Sequence, residues 1–174
     1  MSHFTVSPSK SAAYFLFKCD RNLQWQMTNS SSLLSEQIPK FGQPSEESKL
    51  MTALTSGGFK WERELINHVL RGKLVSVNGF IPEPKGKAFD VQETLTALRS
   101  IQEDEWIFQS TFAVPQSFYD QYNIDRTVVS FSDCYPDLIT KTTDGKLRIV
   151  DAKASARVQT KHKIQVAMYA LMLE

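Results

Sequence analysis

Cysteine is scarce in this chain, with Cys19 and Cys134 the two it has in 174 residues. Two distant thiols make no disulfide framework of the kind that staples small secreted domains, so a reducing, cytoplasmic setting is expected. Long apolar runs are missing as well. None approaches the roughly 18 residues that a membrane-crossing helix requires, and the opening residues, Met1 to Thr5, lack the basic stretch and apolar core of a secretion signal. The few glycines form no phosphate-cradling loop, since Gly57-Gly58 lacks the lysine and spacing of a Walker motif. His3, His68 and His162 have no metal-like mutual spacing. An excess of one charge is also absent: 20 basic and 19 acidic side chains leave a net charge of +1.

What is present is an ordinary globular composition, 41% hydrophobic and 22% charged, on a chain long enough to bury one core. Its charge is unevenly spread. From Lys141 to Lys163 seven basic residues face two acids, Asp144 and Asp151. Lys141, Arg157, Lys161 and Lys163 are the candidates there for holding a phosphate backbone.

The pattern of residues predicts a helical and polar N-terminal segment over 1–50, followed by a core over 51–174. A helix is expected from Ser9 to Met27, with Ser7-Pro8 at its start, and a polar stretch from Asn29 to about Ser48. A second helix begins near Gly57-Gly58 and carries Trp61, Leu65, Val69 and Leu70 at helical spacing. Lys73–Val77 reads as a short strand. Asp90 and Glu93 form a capping-box start to a helix ending near Ile101. Trp106–Val114 and Thr127–Phe131 read as strands, and Trp25, Trp61 and Trp106 as core residues. Tyr135–Thr140 and Leu147–Lys153 flank Asp144-Gly145, a hairpin signal. The last element, from about Gln159, is a helix with Ile164, Ala167, Met168 and Leu171 inward. It stops without a capping residue, so a truncated or partial chain is expected. Together these elements predict an α/β (α+β) domain with a central mixed β-sheet flanked by helices.

Within that frame the acids are suggestive. Side chains two apart on a strand point the same way, so Asp151 and Lys153 project together from the end of their strand, with the Ala152 carbonyl between them. Both Asp151 and Asp137 adjoin apolar pairs, Ile149-Val150 and Leu138-Ile139, where a surface strand would alternate. Buried carboxylates are costly unless they are paired or bind metal. Register decides whether the two acids meet. A two-residue turn at Asp144-Gly145 puts Asp137 and Asp151 on opposite faces; a three-residue loop, Thr143 to Gly145, makes them cross-strand neighbours. The second is expected, with Gly145 at positive φ.

Pro136-Asp137, thirteen residues and then Asp151-Ala152-Lys153 resembles the signature of the PD-(D/E)xK nuclease superfamily. Gln165-Val-Ala-Met-Tyr169 resembles the Gln-x-x-x-Tyr motif of its RecB-type exonuclease branch, and Gly58-Phe-Lys-Trp-Glu62 its first, acid-bearing helix. The motifs stand in the family's order and span Gly58 to the C-terminus, while Asp133-Cys134-Tyr135 replaces the glycine that often precedes the Pro-Asp pair. The resemblance implies a single domain over 1–174 with a restriction-endonuclease-like core and a magnesium- or manganese-dependent hydrolysis of DNA. Exonucleolytic action in repair, recombination or defence is implied, with further domains or a helicase as partners. It implies metal ligation by Glu62, Asp137, Asp151 and the Ala152 carbonyl, with Glu64 the neighbouring alternative to Glu62. Lys153 would act on the attacking water, and Gln165 and Tyr169 would hold DNA or the active-site strands. Cys19 stands where some relatives place the first ligand of an iron–sulfur cluster. Four thiolates are normally needed, so no cluster is expected within this chain, and Cys134 is expected to be a buried apolar residue. The competing expectation is a nuclease-fold module that binds DNA or a partner without cutting.

Overall fold

The computed structural model describes residues 4–9, 11–12, 56–153 and 157–174. The expected helix over Ser9–Met27 lies outside them apart from its first turn, as do the polar stretch, Cys19, Trp25 and His3. In that first turn residues 8–9 and 11–12 are helical, and the Ser11 N–H donates to the Ser7 carbonyl at 3.0 Å.

The described chain is mixed α/β. A three-stranded antiparallel sheet joins β2 (Trp106–Phe108), β4 (Leu138–Lys141) and β5 (Leu147–Val150), with β4 in the centre. A separate parallel pair joins β1 (Phe4–Val6) to β3 (Val129–Phe131). Further helical elements among the described residues surround them. These are α1 (56–64), continued by a π-helical turn over Leu65–Val69, α2 (Val91–Ser100), α3 (Gln116–Gln121) and α4 (Thr160–Leu173). Among the described residues no helix is long and apolar enough to cross a membrane.

The centre of the sheet is covered on both faces, which is why β4 reads as a continuous apolar run instead of alternating. Ile139 points into a large cluster with Ala97, Ile101, Tyr169 and Met172 from α2, α4 and the turn after α2. Leu138 points the other way, into a cluster with Leu70, Phe108 and Ala152 that the start of the π-helical turn, Leu65 and Ile66, packs against. Each fully buried side chain of this size contributes about 1.5–3 kcal/mol. The sheet is thus sandwiched between helical layers.

Local signals hold where they are complete. Asp90 caps α2, with the Glu93 N–H donating to Asp90 Oδ1 at 2.8 Å and the Asp90 N–H to Glu93 Oε2 at 2.9 Å. The β4–β5 hairpin pairs Leu138 with Val150 and Lys141 with Leu147. Its loop is Thr143 to Gly145, closed by a bond from the Thr142 N–H to the Lys146 carbonyl at 2.8 Å. Gly145 has φ +81°, as the three-residue loop requires. No atom would obstruct a Cβ there, so a Gly145→Ala variant meets only the left-handed strain. It is expected to lose about 1–2 kcal/mol of stability, read from the midpoint of urea unfolding.

Three strands are shorter than their composition suggests, and α3 and β1 carry no clear sequence signal. The Lys73–Val77 segment makes only isolated bridges, Leu74 to Trp106 and Val77 to Phe80. Asn78 and Gly79 both take positive φ, 53° and 78°, and reverse the chain in the manner of a two-residue hairpin turn. The expected strand Trp106–Val114 stops after Phe108 because Gln109 adopts φ +48°; pairing resumes at Phe112 and Cys134. The third, Thr127–Phe131, narrows to β3. Trp61 is 39% exposed and so is not a core residue, whereas Trp106 packs against the second cluster.

The inward face of α4 also differs from the expected one. Tyr169 and Met172 are buried, while Ala167 and Leu171 face outward. The rotation follows from a polar pair on the buried side, where Gln165 supplies the partner that a buried tyrosine hydroxyl needs.

Candidate active site

The hairpin register brings the two expected acids together. Leu138 opposite Val150 extends to Asp137 opposite Asp151, just beyond the strand ends. Asp137 is held from both sides. Its carbonyl accepts the Gln109 N–H at 2.8 Å, and the preceding Pro136 carbonyl accepts the Ser110 N–H at 3.3 Å. The left-handed turn at Gln109 therefore does more than end β2, since it anchors the segment that carries the acid. On the other side Asp137 Oδ2 accepts the Ala152 N–H at 2.8 Å.

Lys153 lies between the carboxylates. Its Nζ is 3.2 Å from Asp137 Oδ2 and 2.7 Å from Asp151 Oδ1. The Asp151 side chain is 4% exposed, and its second oxygen, Oδ2, is buried without a hydrogen-bond partner. A buried carboxylate oxygen left bare is expensive, so the site holds unused ligating capacity.

The electrostatics follow from this crowding. Burial pushes the Asp137 carboxyl up to about 6; the Lys153 charge opposes that, and the hydrogen bond and charge of Asp151 reinforce it. Burial works to lower the Lys153 ammonium, but its bonds and charge attractions to Asp151 and Asp137 outweigh that and leave it raised. Burial likewise raises the Glu62 carboxyl, against the pull of Lys153.

Glu62 on α1 is therefore within the field of Lys153, whereas Glu64 is exposed. Even so, among the described residues no three His, Cys, Asp or Glu side chains close on a common point. The acids brought side by side are Asp137 and Asp151, and Glu62 does not join them in such a group. The described contact of Ala152 is through its N–H, which orients Asp137.

Gln165 and Tyr169 sit behind the acids rather than on an open surface. Gln165 Nε2 donates to the Tyr169 hydroxyl at 2.8 Å, and that hydroxyl donates to the Tyr135 carbonyl at 3.4 Å. The contact ties α4 to the residues immediately before Pro136-Asp137. Burial raises the Tyr169 hydroxyl; Gln165 works against this, and the charges of Asp151, Cys134 and Asp137 add to it. The described contacts of the pair are with each other and with the segment before Asp137.

The basic candidates divide. Lys163 lines a cavity that also contains Asp151 and Lys153. Lys161 and Arg157 are exposed on the same side of the sequence, before and within the first turn of α4. Lys141 is at the far end of the hairpin, roughly 13 Å of strand from Asp137, and the structure does not bring it to the acids. His162 helps close the start of α4, its Nδ1 3.5 Å from the Gln159 N–H. Cys134 is buried with its Sγ 3.4 Å from Met172 Sδ, and burial pushes its thiol up to about 12, with the Asp133 charge adding to the effect. It behaves as the apolar residue expected of it.

Sequence reasoning missed Gln109 and Ser110, whose backbone amides position Asp137. Comparisons with family models, curated proteins and solved structures return no match to this chain.

Proposed function

We propose that this chain is a magnesium- or manganese-dependent deoxyribonuclease with a restriction-endonuclease-like core of the PD-(D/E)xK type. One observation carries the reading: the hairpin register puts Asp137 and Asp151 side by side with the Lys153 amine between them. The motif resemblance adds to it, as does the helix–sheet–helix layering.

The donor set fits a hard divalent cation. It is all oxygen, it includes a bare buried carboxylate oxygen, and one or two carboxylates are the usual protein share of a magnesium site. Asp137 and Asp151 would hold the ion, with Glu62 near enough to add charge. When bound, such an ion supplies a Lewis acid that offsets charge developing on the phosphate.

The chain's own groups do the rest. Lys153 has its pKa raised, so at neutral pH it is an ammonium, a proton donor and a fixed positive charge. Its role is to hydrogen-bond the attacking water and stabilise the crowded phosphorus transition state rather than to abstract a proton. The amides of Gln109 and Ala152 keep Asp137 from turning away. The Gln165–Tyr169–Tyr135 chain of bonds fixes α4 against the acid-bearing strand.

The test is direct. Purified protein with magnesium is expected to degrade linear DNA, and sparing of closed circular DNA would show attack from ends. Manganese is expected to substitute, and calcium to bind with little turnover. DNA retained in a gel-shift without any cleavage would instead establish a binding module on a nuclease-like fold.

A further inference from the structure

The chain reverses directly after the π-helical turn that continues α1. Leu70 closes that turn with its N–H on the Leu65 carbonyl at 3.0 Å, and the Lys73 N–H returns to the Leu70 carbonyl at 3.0 Å. Gly72 takes φ +71° at the reversal. The reversal packs Leu74 against the second apolar cluster, which already holds Leu70 with Leu65 and Ile66 beside it. Asn78-Gly79 then turns the chain again, with Val77 bridged to Phe80, and Ile81 follows. After it come Pro82 and Pro84, both buried and both without an N–H.

Between these segments are two cavities of about 480 and 350 Å³. They share Ile66, Asn67, Leu74 and Ile81, so they form one groove. Its apolar lining is aliphatic, and Ile81 is 39% exposed there. Neither cavity includes Asp137, Asp151 or Lys153. Charge is unevenly placed along the groove. Arg71 and His68 line one cavity with no acid among its lining residues, while Arg63 shares the other with Glu83. Among the described residues neither guanidinium is in an ion pair. An exposed arginine without a carboxylate keeps its planar fork of donors for a ligand.

We propose that the groove binds a linear peptide segment of a partner protein, with an aspartate or glutamate on Arg71 and an apolar side chain over Ile66, Leu74 and Ile81. The aliphatic lining calls for apolar side chains, which a sugar–phosphate backbone does not bring. Glu83 would repel a phosphate chain running the length of the groove, whereas the peptide needs its charge at the Arg71 end alone. Asn67, exposed on the shared wall, has both a donor and an acceptor for peptide backbone. The apolar contact gives affinity, and the acid on Arg71 gives direction. This surface stands apart from the acid pair, so the proposal does not depend on the nuclease reading.

A phage-displayed library of random twelve-residue peptides, selected on the immobilised protein in EDTA, tests it. Enriched sequences are expected to carry an acid within a few residues of an aliphatic side chain. A fluorescein-labelled copy of the most enriched peptide is then titrated by anisotropy. Arg71→Glu is expected to weaken binding about tenfold, the cost of one charge-assisted contact. Replacing the peptide's acid by lysine should restore binding to that variant and not to wild type. Ile81→Ser should weaken binding by a similar factor, and Arg63→Glu should do so less than Arg71→Glu. Arg71 is exposed, so Arg71→Glu should keep its melting temperature within about 2 °C, and it carries the test even where Ile81→Ser unfolds the chain. Lys153→Met should bind the peptide as wild type does, whatever its effect on DNA cleavage. No enrichment, enriched peptides without an acid, or equal affinity for wild type and Arg71→Glu overturns the proposal. So does loss of DNA binding in Arg71→Glu with peptide binding intact, which would assign the groove to nucleic acid. A dimer in solution that Ile81→Ser dissolves would assign it to a second copy and overturn the proposal as well.

Discussion

A Lys153→Met variant is expected to lose DNA cleavage by roughly 10²–10³-fold, the cost of removing one charged or hydrogen-bonding group aimed at a transition state. Methionine keeps most of the unbranched length of the side chain and removes its charge. The variant should also show a second effect that a purely catalytic residue would not. Lys153 is the cation between Asp137 and Asp151, 3.2 Å from one and 2.7 Å from the other. Removing one partner of a buried pair costs about 3–5 kcal/mol. The Lys153 side chain is 37% exposed, so solvent screening brings the expected loss to about 1–2 kcal/mol. In EDTA the variant should therefore melt earlier than wild type, and magnesium should recover most of that difference without restoring turnover. Asp151→Asn should lose cleavage to the same extent. Full activity in purified Lys153→Met protein would remove the mechanism.

The part of this site that the sequence revealed is the part determined locally. Asp144-Gly145 limits the hairpin to a few loop geometries, and the apolar residues beside each acid select the one that buries Leu138 and Ile139. Register then places Asp137 beside Asp151 with no long-range information. The capping box at Asp90 and Glu93 is legible for the same reason: both partners lie within four residues. Asn78-Gly79 is a comparable local signal that the reading of the sequence passed over, and its reversal shortens the preceding strand to isolated bridges.

What was not legible depends on distant partners or on a rare backbone state. The parallel pairing of β1 with β3 joins residues about 125 positions apart, and neither three-residue strand has a pattern of its own. Gln109 is left-handed at φ +48° although glutamine has no preference for that region. Its conformation is maintained by the bond from its N–H to the Asp137 carbonyl, a tertiary contact. The facing of α4 was misread because Ala167 and Leu171 fit an apolar stripe as well as Tyr169 and Met172 do. A buried tyrosine with a glutamine one turn before it outweighs two aliphatic residues, since its hydroxyl must be satisfied once the ring is inside. Lys141 was grouped with the other basic residues by sequence proximity, and a strand of four residues was enough to separate it from the acids.

Without metal, the protein is expected to become more stable as the pH falls from about 7.5 to about 5, the opposite of the usual behaviour of paired carboxylates. Burial pushes Asp137 up to about 6 from an ordinary value of 3.8. The folded state therefore takes up a proton near pH 6, and the unfolded chain only near pH 4. A raised folded pKa gives stability that is complete below the unfolded value and is lost as the pH rises through the folded one. Raising the carboxyl from 3.8 to about 6 corresponds to about 3 kcal/mol. Asp137 is 24% exposed and close to Lys153, so about 1–2 kcal/mol is the expected span. Thermal melts in EDTA across this range would show it, and Asp137→Asn should flatten the profile because the amide has no proton to gain. Magnesium should reverse the slope. A divalent ion needs the carboxylate ionised, so it competes with the proton and stabilises by mass action mainly above pH 6. The gain in melting temperature on adding magnesium should be several degrees at pH 7.5 and near zero at pH 5, and Asp137→Asn should lose most of it. An equal gain at both pH values, or one that survives in Asp137→Asn, would mean that magnesium binds away from the acid pair.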